Sequence, residues 1–250
     1  MMKVCLVGAS GRMGTLLRES IARAVDCELR SVFVRKRDAL PAADWANIIV
    51  TSDLKEAVLG ADIVIDFSSP SISQAVVEVC SSLGVPLLLG TTGHTPAQRE
   101  ALSTVVPRAP ILFAPNTSVG VFVLGELARA ASQMLGEGFD MEIFELHHRA
   151  KLDAPSGTAR LLGEALAGST GLVDRTAGGA REPLSVGGAS LRGGDVPGEH
   201  TVFFLGSGER LELIHRVRDR SVFADGALRL ARELVRRPPG VYSVRDIVRP

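Results

Sequence analysis

The sequence has no charge to spare: 28 Lys and Arg are matched by 28 Asp and Glu, and the formal net charge is zero. That removes any general electrostatic pull toward nucleic acid or an anionic membrane. Cysteine is nearly as scarce. Cys5, Cys27 and Cys80 are far apart, odd in number and form no C-x-x-C pair, so neither a disulfide framework nor a zinc site is expected. Cys5 sits in an apolar run and reads as a buried structural thiol. No apolar run is long enough to span a bilayer. Met1-Met2-Lys3 leads straight into a strand pattern without the apolar region and cleavage site of a signal peptide. The expectation is a cytoplasmic protein with no membrane and no nucleic-acid partner. No internal repeat or low-complexity segment stands out.

What is present is 250 residues, enough for one large α/β domain or two modest ones with a sizeable core. Lys3 to Val7 is a short apolar strand, followed by Gly8-Ala9-Ser10-Gly11-Arg12-Met13-Gly14 and a helical pattern to about Ala24. Strand, glycine turn and helix are the context that a dinucleotide-binding turn needs. The spacing is G-x-x-G-x-x-G, which keeps the physics: a tight turn at Gly8, close backbone approach at Gly11, close helix packing at Gly14. A second strand, Leu29 to Val34, ends in Arg35-Lys36-Arg37 rather than in an acid. Those cations suit the 2′-phosphate of NADPH; the alternative is a solvated loop.

Further apolar strands are expected at Ile48–Thr51, Ala61–Phe67, Pro86–Leu89 and Ile111–Ala114. Helices are expected at Leu54–Leu59, from a Ser71 cap to Leu83, and over Val119–Leu135. Near-continuous apolar strands alternating with helices imply a parallel sheet covered on both faces. Ser68–Pro70, Gly90–Gly93 and Pro115–Ser118 join the glycine turn at its carboxyl edge, where such sheets bind ligands. After residue 135 the pattern changes to strands at Met141–His148, Leu184–Leu191, Thr201–Leu205 and Leu211–Val217, with a small, polar connection over Gly168–Gly179. These predict a mixed or antiparallel sheet covered by a helix at 159–167, with one face left for another subunit. An amphipathic helix over Phe223–Arg236 ends at Pro238-Pro239-Gly240.

The chemistry concentrates in Glu145-Leu146-His147-His148-Arg149-Ala150-Lys151-Leu152-Asp153-Ala154-Pro155-Ser156-Gly157-Thr158-Ala159. Adjacent strand residues point to opposite faces, so His147 and His148 serve one site only where the strand ends or the site wraps its edge. Lys151 follows in a turn. Asp153 and Ser156 are both candidate caps for the next helix, whose first N–H groups, at Gly157 and Thr158, form an anion seat. Proton donors beside an anion seat point to a small carboxylate substrate that receives a proton. Two neighbouring histidines without a Cys or Glu at ligand spacing do not suggest a metal site. Arg192 reads either as a further ligand or as exposed; His200 and His215 read as structural.

The glycine turn, Gly90-Thr91-Thr92-Gly93, Ala114-Pro115-Asn116-Thr117-Ser118-Val119-Gly120 and above all the run E-x-H-H-x-x-K-x-D-A-P-S-G-T-A resemble the 4-hydroxy-tetrahydrodipicolinate reductase family, long called dihydrodipicolinate reductases. The likeness covers nearly the whole chain, including Arg192 to Asp195, Gly198 to Thr201 and the C-terminal helix. It implies an α/β protein: a Rossmann-like doubly wound parallel sheet formed by 1–118 and 221–250, plus a smaller α+β substrate-binding and oligomerisation domain with a mixed sheet at 119–220. It further implies a homotetramer and NAD(P)H-dependent reduction of a cyclic dicarboxylate in the diaminopimelate route to lysine. By that resemblance His147 is the proton donor or acceptor and Lys151 a proton donor, while His148, Gly157 and Thr158 hold the substrate. Gly8, Ala9, Ser10, Gly11, Arg12 and Met13 hold the cofactor with Gly90, Thr91, Thr92, Ala114, Pro115, Asn116 and Thr117, and Arg35 meets the NADP phosphate.

The chain departs from the family in three places. Val34 stands where members that use NADH well carry an acid, so NADPH is expected to be preferred, with NADH possible. Thr117 replaces a residue that is often aromatic or larger. The segment Gly168–Leu184 is short. Two rival readings are another small Rossmann reductase, such as an amino-acid dehydrogenase, and a non-enzymatic nucleotide sensor. The first would lack the H-H-x-x-K run; the second leaves the proton donors unexplained.

Overall fold

A computed structural model of the chain describes residues 1–35, 45, 47–167, 172–175, 178 and 180–248. The chain divides into two compact units, one formed by Met1–Ser118 with Ser221–Pro250 and the other by Val119–Arg220.

The first unit is built on seven strands: β1 (Met2–Val7), β2 (Cys27–Phe33), β3 (Ile49–Thr51), β4 (Ile63–Asp66), β5 (Leu87–Leu89), β6 (Pro110–Phe113) and β12 (Gly240–Ser243). They lie in the order β12-β6-β5-β4-β1-β2-β3, and every pairing is parallel. Strand alternation splits β1 between two cores. Val4 and Leu6 face the helices α1 (Arg12–Arg23) and α7 (Ser221–Leu234). Cys5 and Val7 face α2 (Leu54–Val58), α3 (Pro70–Leu83) and α4 (Pro96–Ser103). A sheet buried on both faces needs apolar residues at every position, which is why these strands read as unbroken runs. Burial pushes the Cys5 thiol up to about 11.

The helix α3 is capped two residues earlier than the expected Ser71. Ser69 is its N-cap and Pro70 its first residue, because proline fixes the φ that the first helical position needs and has no N–H to leave unpaired. The helix α4 was not expected. Thr95 and Gln98 form a reciprocal capping box around Pro96.

The second unit holds α5 (Val119–Leu135), β7 (Asp140–His147), α6 (Gly157–Ala167), β8 (Leu172–Asp174), β9 (Val186–Arg192), β10 (Gly198–Leu205) and β11 (Arg210–Val217). Its sheet runs β11-β10-β7-β9-β8. Strand β10 is antiparallel to β11 and β7, whereas β7, β9 and β8 are mutually parallel. It is thus a mixed sheet, as expected. Its cover is not α6 alone: α5 shares the core, with Leu124 and Ala128 packed beside Ile143, Leu162, Val202 and Phe204. The register puts Phe144, Leu146, Leu191, Phe203 and Ile214 on the opposite face, where Leu191 and Ile214 are exposed. The short α8 (Val244–Val248) follows β12 and packs into the first unit's core through Ile247. Lys36, Arg37 and Asp38, and most of the expected 168–179 connection, lie outside the described residues.

Candidate active site

The glycine turn occupies the carboxyl edge of the first sheet. Gly8 has φ +90°, and a Cβ there would lie 2.5 Å from the Phe67 carbonyl oxygen. Only glycine takes that backbone without strain. A Cβ at Gly14 would run into the Gly8 carbonyl and the Ala9 backbone, so helix α1 rests directly on the turn. Gly11 caps α1 with extended backbone and no side-chain bond, leaving the first-turn N–H groups of Arg12 and Met13 to face what lies ahead of the helix.

Beside them is a cavity of about 560 Å³ lined by Gly8, Ser10, Gly11, Phe33, Val34, Arg35, Phe67, Ser68, Ser69 and Ile72. A helix N-terminus, a glycine backbone and a cation around one cavity fit a dinucleotide phosphate chain. The neighbouring loops are tied to a buried carboxylate. Asp66 Oδ1 accepts from Ser68 N at 2.8 Å and from Thr91 Oγ1 at 3.2 Å. Burial raises the Asp66 pKa, against its bonds to Ser68 and Thr91. Gly90 leaves room for the Phe67 ring, and Thr92 is exposed.

Among the remaining positions, Ala114 is buried, Pro115 is exposed and Asn116 Oδ1 accepts from Ser118 N at 2.9 Å. Thr117 is committed elsewhere. Its hydroxyl donates to the Phe223 carbonyl at 2.6 Å, so its side chain ties the end of β6 to the start of α7.

In the second unit, β7 carries Glu145 and His147 on its covered face, two residues apart as strand geometry requires. Neighbouring strands complete two rows. Ser190, Glu145 and His200 are in register, and Arg192 pairs with His147. Glu145 is 1% exposed and His147 7%. Glu145 Oε1 accepts from Ser190 Oγ at 2.6 Å, Arg192 Nη2 at 2.8 Å and Ser156 N at 3.0 Å; its Oε2 lies 2.7 Å from His147 Nδ1. Desolvation opposes ionisation, yet bonds from His147, Ser190, Arg192 and Ser156 outweigh it and hold the carboxyl well below the usual range. His200 sits edge-on to His147, ring centroids 5.1 Å apart. Burial, reinforced by the charge of His147, pushes its pKa down to about 3.

Past His147 the chain turns. Lys151 N donates to the His148 carbonyl at 3.1 Å, and Lys151 Nζ lies 2.7 Å from Asp153 Oδ1. The cap of α6 is Ser156 rather than Asp153: its Oγ accepts from Ala159 N at 3.1 Å and lies 3.2 Å from His200 Nε2. Gly157 is exposed, with open space where a side chain would be, and Thr158 follows it in the first turn. His148 lies just past the end of β7 and is half-buried.

Two expectations need correcting. Arg192 is neither a free ligand nor merely exposed, since it also donates to the Asp153 carbonyl at 2.6 Å and so clamps the turn to the sheet. His200 belongs to the cluster rather than to the sheet alone. The ligand atoms of Glu145, His147 and His200 lie within 4.8 Å of one another, a spacing a metal ion could use. The Arg192 guanidinium on the same carboxylate already supplies the positive charge, which disfavours a second cation there.

A doubly wound sheet with a glycine turn at its ligand edge, joined in one chain to a unit bearing a buried acid–base cluster, defines a Rossmann-type oxidoreductase. The family model described as "Dihydrodipicolinate reductase, N-terminus" matches residues 2–117, and "Dihydrodipicolinate reductase, C-terminus" matches 120–248. The chain belongs to the dihydrodipicolinate reductase family. It is 43% identical to the 4-hydroxy-tetrahydrodipicolinate reductase of Anaeromyxobacter sp. (strain Fw109-5) over 99% of this chain and 98% of that protein. It is 41% identical to the enzyme of the same name from Thiobacillus denitrificans, over 98% of each. Among solved structures, its fold resembles the dipicolinate-bound dihydrodipicolinate reductase from Paenisporosarcina sp. TG-14, with TM-score 0.81 and 22% identity over 100% of both chains.

Proposed function

We propose that this protein is a 4-hydroxy-tetrahydrodipicolinate reductase, which converts its cyclic dicarboxylate to tetrahydrodipicolinate in the cytoplasmic diaminopimelate route to lysine. The reaction takes up a hydride and a proton and releases water. The observation that carries the reading is the folded run 145–159: His147 against an ionised Glu145, then Lys151 on a turn, then the start of α6. The full-length likeness to reductases of that name supports it.

NADPH, with NADH as an alternative, supplies the hydride when bound. Gly8 to Met13 would hold its pyrophosphate through backbone N–H groups, aided by Gly90 to Thr92 and Ala114 to Thr117. Arg35 lines the cavity and Val34 provides no acid to engage a ribose hydroxyl; both favour the 2′-phosphate of NADPH. In the second unit His148, Lys151 and the Gly157 and Thr158 amides orient the two carboxylates, so that reaction becomes effectively unimolecular. His147 or Lys151 delivers the proton.

The apolar face of the second sheet, opposite α5 and α6, supports a homotetramer in which copies of this chain cover it. The test of the whole reading is the oxidation of NADPH and of NADH followed at 340 nm, with the substrate generated in situ by the synthase that precedes the step. Turnover with a higher kcat/KM for NADPH is expected. Absence of turnover with either cofactor sinks the assignment, and equal kcat/KM values sink the preference.

A further inference from the structure

Burying a carboxylate is costly, and well-packed apolar residues often stabilise such a position equally well or better. Glu145 is nonetheless buried at the centre of the second sheet and kept ionised. Three donors, from β9 and from the start of α6, fix Oε1. That leaves Oε2 nearest to His147 Nδ1, at 2.7 Å. The opposite nitrogen of the same ring faces Gly198 on β10, where a Cβ would come within 3.0 Å of His147 Nε2. One ring nitrogen thus lies 2.7 Å from a fixed anion, without the alignment of a full hydrogen bond, and the other borders a position without a side chain.

The neighbours sharpen this arrangement. His200 lies next to the same carboxylate, its Nε2 3.9 Å from Oε2, but burial keeps it neutral. Arg192 is permanently charged. His147 is the ring of the cluster with one nitrogen on the carboxylate and the other on a position that has no side chain.

We infer that Glu145 is the positioning residue of the site: it holds His147 with Nδ1–H toward its carboxylate and leaves Nε2 as the atom that exchanges the proton. The inference rests on the reading of His147 as the acid. In the proton step the Nε2–H bond breaks and its proton passes to the reduced substrate. The ring's electron pair returns to Nε2, and Nδ1–H stays directed at Glu145. Solvent restores the Nε2 proton after product leaves. The neutral histidine side chain free in water favours the other tautomer, with the proton on Nε2, so the arrangement has a signature of its own.

The first test is the ¹⁵N spectrum of the full-length protein, with the His147 signals identified by their loss in His147→Gln. The neutral ring should carry its proton on Nδ1; a proton on Nε2 would overturn the inference without bearing on the reaction catalysed. The second test is Glu145→Gln. It should lower kcat on the order of 10²- to 10⁴-fold, with KM for the dicarboxylate changed less than about threefold. The high-pH fall in kcat should move to lower pH, because the anion favouring the charged ring is gone. The other charged or titratable groups near the ring, Arg192 on β9, His200 on β10 and Lys151 on the turn, are unchanged in that variant. Glu145→Asp should recover part of the loss. A kcat that falls while the pH profile and the tautomer stay as in the wild type would mean that Glu145 only braces the fold. Should Glu145→Gln not fold, the wild-type tautomer still decides. If His147→Gln keeps wild-type kcat, the reading of the acid fails, and the tautomer measurement still reports on Glu145.

Discussion

At the scale of single residues, His147→Gln should lower kcat on the order of 10²- to 10⁴-fold while changing KM modestly. Wild-type kcat would remove it from the acid role. Lys151→Ala should lower kcat and raise KM together, because a cation that both holds a carboxylate and helps protonate the product contributes to ground state and transition state alike; steady-state kinetics separate the two effects. His200 gives a prediction about pH. Its pKa in the folded chain is about 3, against 6.5 for the free side chain, so between those values the unfolded chain binds the extra proton. Stability therefore rises with pH across that window, and acidification from pH 7 to 5 should cost about 2 kcal/mol. His215, partly buried, adds in the same direction. The depressed Glu145 carboxyl contributes a loss only below its ordinary value of 4.5, outside that range. Urea unfolding at pH 7, 6 and 5 measures the slope, which should flatten in His200→Asn; an unchanged slope would show that His200 is not the source. The sequence motif alone gives Glu145 no role. Its partners Ser156, Ser190 and Arg192 are 11, 45 and 47 residues away; strand register brings Ser190 and Arg192 to it, and the turn into α6 brings Ser156. The spacing of Glu145 and His147, two apart on one strand, was the available clue.

At the scale of elements, what could be read in the sequence followed length and periodicity. The long α5 declares itself by its length, and β1, β4 and β6 by their largely apolar runs, since burial on both faces leaves few polar positions in such strands. The three- and four-residue strands β8 and β12 and the five-residue α8 are too short to show a period. Helix α4 had a legible start, Thr95-Pro96 with Gln98 three residues on, but only one buried residue, Leu102, and so no apolar stripe to mark it. The turn between β1 and α1 yields the prediction at this scale. Gly8→Ala combines an unfavourable φ with a close contact to the Phe67 carbonyl. Relieving them would displace the start of α1 and should weaken NADPH binding by roughly 10- to 100-fold, equivalent to about 1.4–3 kcal/mol. Calorimetric titration with NADPH, beside a circular dichroism spectrum to confirm the fold, checks it. Undiminished affinity would show that the turn does not carry the cofactor.

At the scale of the whole molecule, each unit has a core of its own, and the second exposes on its uncovered sheet face Leu191 and Ile214, the face for which the sequence pattern predicts cover by another subunit. Ile214→Asp places a charge on that face, on the opposite side of the sheet from the Glu145 carboxylate. It should shift the protein to smaller species in sedimentation while leaving the far-ultraviolet spectrum intact; an unchanged sedimentation coefficient would count against that face as the contact between copies. A final consequence comes from the chain's return to its first sheet. Strand β12 completes the edge beside β6, and α7 closes one side of the first core with Ala224, Ala227, Leu228, Leu230, Ala231 and Leu234. The point of departure and the point of re-entry are fastened together by the Thr117–Phe223 bond. During synthesis on the ribosome, the half made first waits, one flank bare, until some hundred later residues have emerged. The first unit therefore closes its core last although it is begun first.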